Sequence, residues 1–158
     1  MSISQERRTS IAAPEVGAEA PSREFGPLTR QMFVRYAGAS GDLNPMHYDD
    51  EFARSAGHPS VFAQGMFSAA LLAGFATDWL GAASVRRFGV RFREQVWPGD
   101  LLTCAGSVTA VSSGPDGDRV SLQLTATRQT GGIAISGTAE FLIPQNAAGR
   151  NAASPDQP

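Results

Sequence analysis

The chain has 158 residues, of which 42% are hydrophobic and 18% are charged, proportions typical of one folded globular domain and not of a disordered chain. Its formal net charge of −2 is too small to indicate a polyanion or a membrane surface as partner, and the absence of a basic stripe with interleaved aromatic residues argues against nucleic-acid binding. All thirteen basic residues are arginine and Cys104 is the one cysteine, which excludes a Schiff-base lysine, an intramolecular disulfide and a cysteine-based metal cluster within one chain.

Both ends of the chain are polar and irregular. We expect mobile tails over residues 1–15 and 144–158, on either side of a single domain over residues 16–143. The N-terminus carries arginines but no apolar stretch of the signal-peptide type. The most apolar stretch, residues 62–80, contains Gln, Ser, Thr and Asp, and its unbroken apolar part is shorter than the roughly 18 residues of a membrane span. The sequence therefore predicts a cytoplasmic protein that does not enter a membrane.

Three helices are predicted in the first half of the chain. The first, within residues 28–41, has Thr29 as a candidate N-cap and glycines at its end. A short second helix has Asp49 or Asp50 as its N-cap. The third, over residues 64–80, is apolar almost all round, which is typical of a buried helix. Its many glycines and alanines make it slim, so that a surrounding wall can approach it closely.

In the second half of the chain the apolar period changes from 3.6 to 2, which predicts strands. Stretches rich in turn residues separate these strands, and one of them, residues 112–118, is predicted to be a loop. Strands joined by such short connections must be antiparallel. The predicted strands cover residues 87–93, 101–111, 120–127 and 133–143.

The alternation within these strands assigns side chains to faces. The first strand is expected to place Phe88, Val90 and Phe92 on one face, and Arg87, Arg91 and Arg93 on the other. The last strand is expected to collect Ile133, Ile135, Ala139, Phe141 and Ile143 on one face. A buried helix and half-apolar antiparallel strands cover each other when the sheet curls around the helix. The predicted fold class is therefore α+β.

The stretch GASGDLNPMHYDDEF, residues 38–52, brings an acid, an amide, a proline and a histidine within six positions. Pro45 biases Asn44 away from the α region, so the first helix cannot continue and Asp42 and His47 lie on a loop. A carboxylate and an imidazole that converge over an apolar pocket can hold one water molecule and move protons in both directions. The residue types also allow a structural role, in which the acids cap helices and His47 satisfies a backbone carbonyl.

Two other kinds of site have little support. No GxSxG motif surrounds a serine, which argues against a serine hydrolase. With two histidines, one cysteine and no HxxxH or CxxC spacing, the sequence does not predict a metal site. No cofactor is expected.

The stretch SGDLNPMHYDDEFA, residues 40–53, resembles the signature of the MaoC-like (R)-specific enoyl-CoA hydratases. The loop pattern of that family is an acidic residue, any residue, Asn-Pro, an apolar residue and His. The similarity continues through FAQGMFSAALL (62–72), where Gln64 replaces the usual His, and through VRFREQVWPGDLL (90–102). It covers roughly residues 22–143. Within the family, the chain is most similar to the small single-domain dehydratase subunits of type II fatty-acid synthesis.

This resemblance implies a hot-dog fold, in which a curved antiparallel sheet wraps a long central helix. It also implies a homodimer, or a heterodimer with another hot-dog subunit, and an acyl-thioester tunnel near the subunit interface. Asp42 and His47 would form the catalytic pair that activates water, Asn44 would fix the loop, and the Gly65 N–H would polarise the thioester carbonyl. The implied reaction is reversible hydration of a 2-enoyl thioester to the (R)-3-hydroxyacyl thioester, without metal or redox cofactor.

Several of these positions have two interpretations. The N–H groups at the start of the central helix favour negative charge, but Gly65 would also let the sheet pack tightly. Arg87, Arg91 and Arg93 form either a solvated face or a site for the phosphates of CoA or the acidic surface of an acyl carrier protein. Gln64 leaves the Asp/His pair intact but would alter the tuning of the oxyanion region.

A non-catalytic subunit of a heterodimeric dehydratase and a hot-dog thioesterase are the alternatives, because this fold hosts binding proteins and thioesterases as well as hydratases. The presence of both Asp42 and His47 argues against the first alternative. The Asn-Pro-apolar-His loop argues against the second. Acyl chain length, CoA or carrier protein, the identity of the partner subunit and the physiological direction are open at this stage.

Overall fold

The computed structural model describes residues 13–144, so most of the two predicted tails lie outside the described residues. The first half of this region contains a short strand and three helices. The second half contains four longer strands. In chain order the elements are β1 (Arg23–Phe25), α1 (Arg30–Ser40), α2 (Asp50–Ser55), α3 (Gly65–Leu80), β2 (Val85–Phe92), β3 (Leu102–Gly114), β4 (Gly117–Arg128) and β5 (Ile133–Ile143), with single 3₁₀ turns at Pro45–His47 and Ala82–Ser84.

The five strands form one antiparallel sheet in the order β1-β3-β4-β5-β2. Helix α3 contacts four of them, β2, β3, β4 and β5. The predicted α+β arrangement, with a buried helix against an antiparallel sheet, is confirmed. Within the described residues, no helix combines the length and the apolar character needed to cross a bilayer.

The sequence explains why α3 can lie so close to the sheet. Its buried side chains include Leu72 and Phe75, which pack against the inward-facing residues of β4 and β5. On β3, a Cβ at Gly106 would lie 2.7 Å from Leu124 Cδ2 and 3.4 Å from Phe75 Cε1. The glycine is therefore required by this close approach. A second apolar cluster joins α1 to the N-terminal end of α3 through Leu28, Phe33, Ala63, Phe67, Val96, Leu102 and Ala134.

The capping predictions for the first two helices are confirmed. The Thr29 side chain accepts a hydrogen bond from Met32 N–H, and Gly41 ends α1 in the left-handed conformation with φ of 76°. The Asp49 carboxylate accepts bonds from the first N–H groups of α2. These features depend on neighbouring residues alone, which is why the pattern predicts them.

Two expectations about the strands are wrong. The predicted loop over residues 112–118 is mostly strand, because β3 and β4 continue into a tight hairpin in which Ser113 Oγ donates to Asp118 Oδ1 over 2.6 Å. Ile133 is 44% exposed, because a register shift between β4 and β5 breaks the alternation and buries Ala134 in its place. The face assigned to Phe92 is not contradicted: this residue ends β2, is 50% exposed and has its ring against Gly65 of α3. The sequence pattern also missed the three residues of β1.

A buried ionic network fastens the segment between β2 and β3 to the end of β4. The Asp100 carboxylate accepts hydrogen bonds from Trp97 N–H at 2.8 Å, from Arg128 Nε at 2.8 Å and Nη2 at 3.2 Å, and from Gln129 Nε2 at 2.9 Å. Burial by itself raises the pKa of the Asp100 carboxyl, but these hydrogen bonds together lower it below its ordinary value of 3.8. The ionised form is therefore the one that the fold selects.

We expect Asp100→Asn to lower the free energy of unfolding by about 3 kcal/mol at neutral pH, because the Nε and Nη2 groups of the Arg128 guanidinium then lose their carboxylate partner. The lowered folded-state pKa means that the carboxylate stabilises the fold above the unfolded pKa and that this contribution is lost as the pH falls through the folded value. Urea unfolding between neutral pH and pH 3 measures both effects. The variant should lose less stability on acidification than the wild type. Asp116→Asn, at the exposed turn between β3 and β4, is the matched control, and an equal effect of both variants would contradict the assignment.

Candidate active site

The loop that carries the predicted catalytic pair is fixed by local hydrogen bonds. Asn44 is the N-cap of the 3₁₀ turn, and its Oδ1 accepts a bond from Met46 N–H at 3.1 Å. Its own N–H donates to Asp42 Oδ1 at 3.4 Å. Pro45 occupies the first position of the turn, where its missing N–H costs nothing. Asn44 therefore orients the loop in this structure and leads the chain directly to His47.

His47 is buried, and its ring is held by the backbone of the next segment. Nδ1 lies 2.7 Å from the Phe62 carbonyl oxygen. Because a carbonyl oxygen only accepts hydrogen bonds, Nδ1 must carry a proton. In the neutral ring, Nε2 then has a free lone pair, and this is the nitrogen that faces Asp42.

The structure brings Asp42 and His47 together without joining them directly. His47 Nε2 lies 3.7 Å from Asp42 Oδ2, which is longer than a hydrogen bond. One water oxygen can nevertheless lie about 2.8 Å from both atoms. The Asp42 side chain is half-exposed, so water has access to this point.

The Phe62 carbonyl is itself positioned by a carboxylate. Asp50 Oδ1 accepts bonds from Ser60 Oγ and from Val61 N–H, each at 3.1 Å, and Asp50 Oδ2 lies 2.7 Å from Arg30 Nη1. The Arg30 hydrogen bond, followed by that from Val61, lowers the pKa of the Asp50 carboxyl to about 2. Asp50 therefore stays ionised over the working range of pH and fixes the segment that leads into Phe62.

A cavity of about 210 Å³ opens next to this segment. Neither Asp42 nor His47 lines it, but Phe62 does, and the Phe62 ring is in edge contact with the His47 ring at 5.2 Å between centroids. The pair therefore stands at the edge of the cavity, with Phe62 between. The lining residues are Phe62, Ala63, Gly65, Ser68, Phe92, Arg93, Glu94, Gln95, Val96 and Ile135.

Gly65 is the first residue of α3 and lines this cavity. No hydrogen bond from its N–H is found within residues 13–144. The N-cap residue Gln64 makes no side-chain cap, because its Nε2 donates to the Phe33 carbonyl in α1 at 3.2 Å. A Cβ at Gly65 would lie 3.0 Å from the Phe92 ring. The glycine thus allows Phe92 to pack against the start of the helix and leaves a backbone donor for a ligand.

The three predicted phosphate-contacting arginines are placed differently. Arg93 lines the cavity and donates from Nε to Ser136 Oγ at 3.3 Å. Arg87 and Arg91 lie in grooves on the outer face of the sheet and do not reach the cavity.

Sequence reasoning missed Phe62, Phe92 and Ser68 as residues of the site. The local signal for Phe62 was weak, since its carbonyl and not its side chain fixes His47. In residues 13–144, no three His, Cys, Asp or Glu side chains come together in a group that could hold a metal ion.

Comparison with known proteins places this geometry in context. The family described as MaoC like domain matches residues 12–130. The (R)-specific enoyl-CoA hydratase of Aeromonas caviae is 30% identical over 138 residues, which cover 85% of this chain and 99% of that protein. Enoyl-CoA hydratase ChsH3 of Mycobacterium tuberculosis is 30% identical over 132 residues, 81% of this chain and 42% of that protein.

The solved structures agree on the fold. An (R)-hydratase from A. caviae involved in PHA biosynthesis gives a TM-score of 0.74 at 26% identity, over 85% of this chain and 100% of that chain. The ChsH1-ChsH2 complex from M. tuberculosis gives a TM-score of 0.74 at 23% identity, over 83% and 99%. The predicted hot-dog fold is confirmed. The chain spans only 18% and 42% of the length of two of the curated relatives that it matches.

We expect neutral His47 to be the Nδ1–H tautomer, because the Phe62 carbonyl can only accept. Two-dimensional ¹H–¹⁵N spectra of histidine-labelled protein, recorded at a pH where the ring is neutral, distinguish the two tautomers. His58 provides the internal comparison, and His47→Gln assigns the signal. An Nε2–H tautomer at His47 would contradict the geometry.

Proposed function

The chain belongs to the MaoC like domain family, and on that premise we propose that it is a hydro-lyase that adds water reversibly to a 2-enoyl thioester and forms the (R)-3-hydroxyacyl thioester. The observation that carries the proposal is the gap of 3.7 Å between His47 Nε2 and Asp42 Oδ2. That gap suits one shared water molecule at the edge of a cavity. The named activities of the A. caviae and M. tuberculosis relatives support the same reaction.

His47 is the group that moves the proton in this proposal. Its Nε2 lone pair takes one proton from the water as the water oxygen bonds to C3. Asp42 accepts a hydrogen bond from the other water hydrogen and stabilises the imidazolium as it forms. The imidazolium Nε2–H then gives its proton to C2, which returns the ring to its neutral form. Since one group takes and returns the proton on one face, the addition is syn.

The Gly65 N–H donates a hydrogen bond that stabilises the negative charge developing on the thioester oxygen. It stands at the positive end of the sixteen-residue helix α3 and lines the cavity. Asn44 fixes the loop through Asp42 and Met46. The proposed site of the acyl thioester is the cavity that Gly65 and Phe92 line.

CoA is the carrier that the relatives' names support. Arg93, at the cavity, is the arginine that we propose for its phosphates. Strand geometry separates the Cα atoms of Arg87 and Arg93 by about 20 Å, and only Arg93 of the two lines the cavity. Arg87 and Arg91 extend the positive charge along the outer face and would suit a second phosphate or an acidic carrier surface. The cytoplasmic location stays a prediction.

We expect Asp42→Asn and His47→Gln each to lower kcat for hydration of crotonyl-CoA by about 10² to 10⁴-fold, because each removes a member of the proton-transfer pair. Loss of absorbance at the enoyl thioester band measures the rate. Asp118→Asn, on the outer hairpin, is the control. An unchanged rate in both variants would contradict the mechanism. Release of free thiol without hydration would favour the thioesterase alternative.

A second hot-dog subunit is the proposed partner. The edge of β3 is covered by residues 17–25, whereas β2, at the other edge of the sheet, is unpaired on its outer side within the described residues. The exposed apolar side chains Met66 and Phe92 lie at the α3 and β2 ends beside this edge. An open eight-residue edge strand readily pairs with another strand. One structural neighbour of this chain is itself a complex, that of ChsH1 with ChsH2 from M. tuberculosis.

We therefore expect the purified chain to have twice its mass of 16.6 kDa by light scattering, and Met66→Lys to shift it toward the monomer. Val16→Lys, at an equally exposed apolar residue on the opposite edge, should leave the mass unchanged. A monomer that dimerises only when a second hot-dog subunit is added would support the heterodimer. A wild type that stays monomeric with every such subunit would contradict the interface.

A further inference from the structure

The cavity contains a hydroxyl group that the mechanism above does not use. Ser68 lies on α3, is 2% exposed and lines the cavity together with Gly65. No hydrogen bond from its Oγ is found within residues 13–144. The one fully occluded side-chain polar atom without a partner in that region is Gln64 Oε1. Ser68 Oγ therefore keeps access to the cavity.

Helix geometry directs this hydroxyl toward Gly65. Side chains on an α-helix point back toward its N-terminus, so that a residue covers the turn that precedes it. Ser68 follows Gly65 by three residues and shares its face of the helix. Its Oγ and the Gly65 N–H thus approach the same part of the cavity.

We propose that Ser68 Oγ–H is the second hydrogen-bond donor to the thioester oxygen, beside the Gly65 N–H. This inference rests on the proposed hydratase function. An oxygen that gains negative charge as water adds to C3 has two lone pairs and is best stabilised by more than one fixed donor. Serine in the first turns of a buried helix otherwise brings a desolvated hydroxyl with no gain in stability. A catalytic role explains why this hydroxyl is left unpaired.

Ser68→Ala tests the proposal. The variant should be at least as stable as the wild type, because alanine is the better helix former and the substitution removes an unpaired polar group. We expect kcat for crotonyl-CoA hydration to fall by about 10²-fold, with KM little changed and the melting temperature equal or higher. Ser68→Thr restores a hydroxyl and should recover most of kcat. Thr77→Val, which removes a hydroxyl from the far end of α3, is the matched control.

A second readout does not require turnover. The saturated analogue butyryl-CoA binds without reacting, and infrared difference spectra report its thioester carbonyl stretch. We expect the stretch to lie at lower frequency in the wild type than in Ser68→Ala, because each donor weakens the C=O bond.

The outcomes separate the two proposals. A wild type that hydrates crotonyl-CoA while Ser68→Ala matches it in kcat and in carbonyl frequency overturns this inference alone. Equal loss of kcat in Ser68→Ala and Ser68→Thr also overturns it, since packing and not the hydroxyl would then matter. A wild type without hydratase activity, alone and with its partner subunit, overturns the proposed function and this inference with it.

Discussion

The bond of 2.7 Å between His47 Nδ1 and the Phe62 carbonyl sets the geometry on which the proposed chemistry depends. It fixes the tautomer, turns the Nε2 lone pair toward Asp42 and places the ring against the wall of the cavity. The contact between the two segments is reciprocal, because the Phe62 N–H donates to the Met46 carbonyl in the loop of Asp42 and His47. The two segments hold each other, and the ionised Asp50 holds one of them in turn.

The sequence predicts what neighbouring residues control. Thr29 as N-cap, Pro45 as the residue that keeps Asn44 extended and the period of the strands all follow from chemistry within a few positions. The all-apolar composition of α3 likewise predicts its burial, and burial of such a helix against antiparallel strands leaves few fold classes. The motif adds Asp42 and His47 as a pair, and the structure places them across a gap that suits one water.

What the sequence could not predict depends on contacts between distant residues. The side chain of Phe62 carries no sign that its carbonyl will bind an imidazole fifteen residues earlier. The alternation in the last strand predicts Ile133 as buried, yet the register shift against β4 exposes it. In the sequence, Ser68 is one more small residue on a slim helix. Only the structure shows that it lines the cavity. Arg87, Arg91 and Arg93 share a face by period, but the cavity meets only the last of them.

Gln64 stands where the motif that this sequence resembles has histidine, and the structure shows where its side chain lies. Its side chain is 1% exposed and points away from the cavity, toward the Phe33 carbonyl in α1. A residue at this position that capped α3 would draw the first N–H groups of the helix toward its own oxygen. Gln64 instead ties two helices together and leaves those donors free, at the expense of an unpaired Oε1. An unpaired buried oxygen opposes folding, so the bond to Phe33 is made at a cost in stability, and under the proposed function the uncapped N–H groups at the start of α3 are the donors for the thioester oxygen.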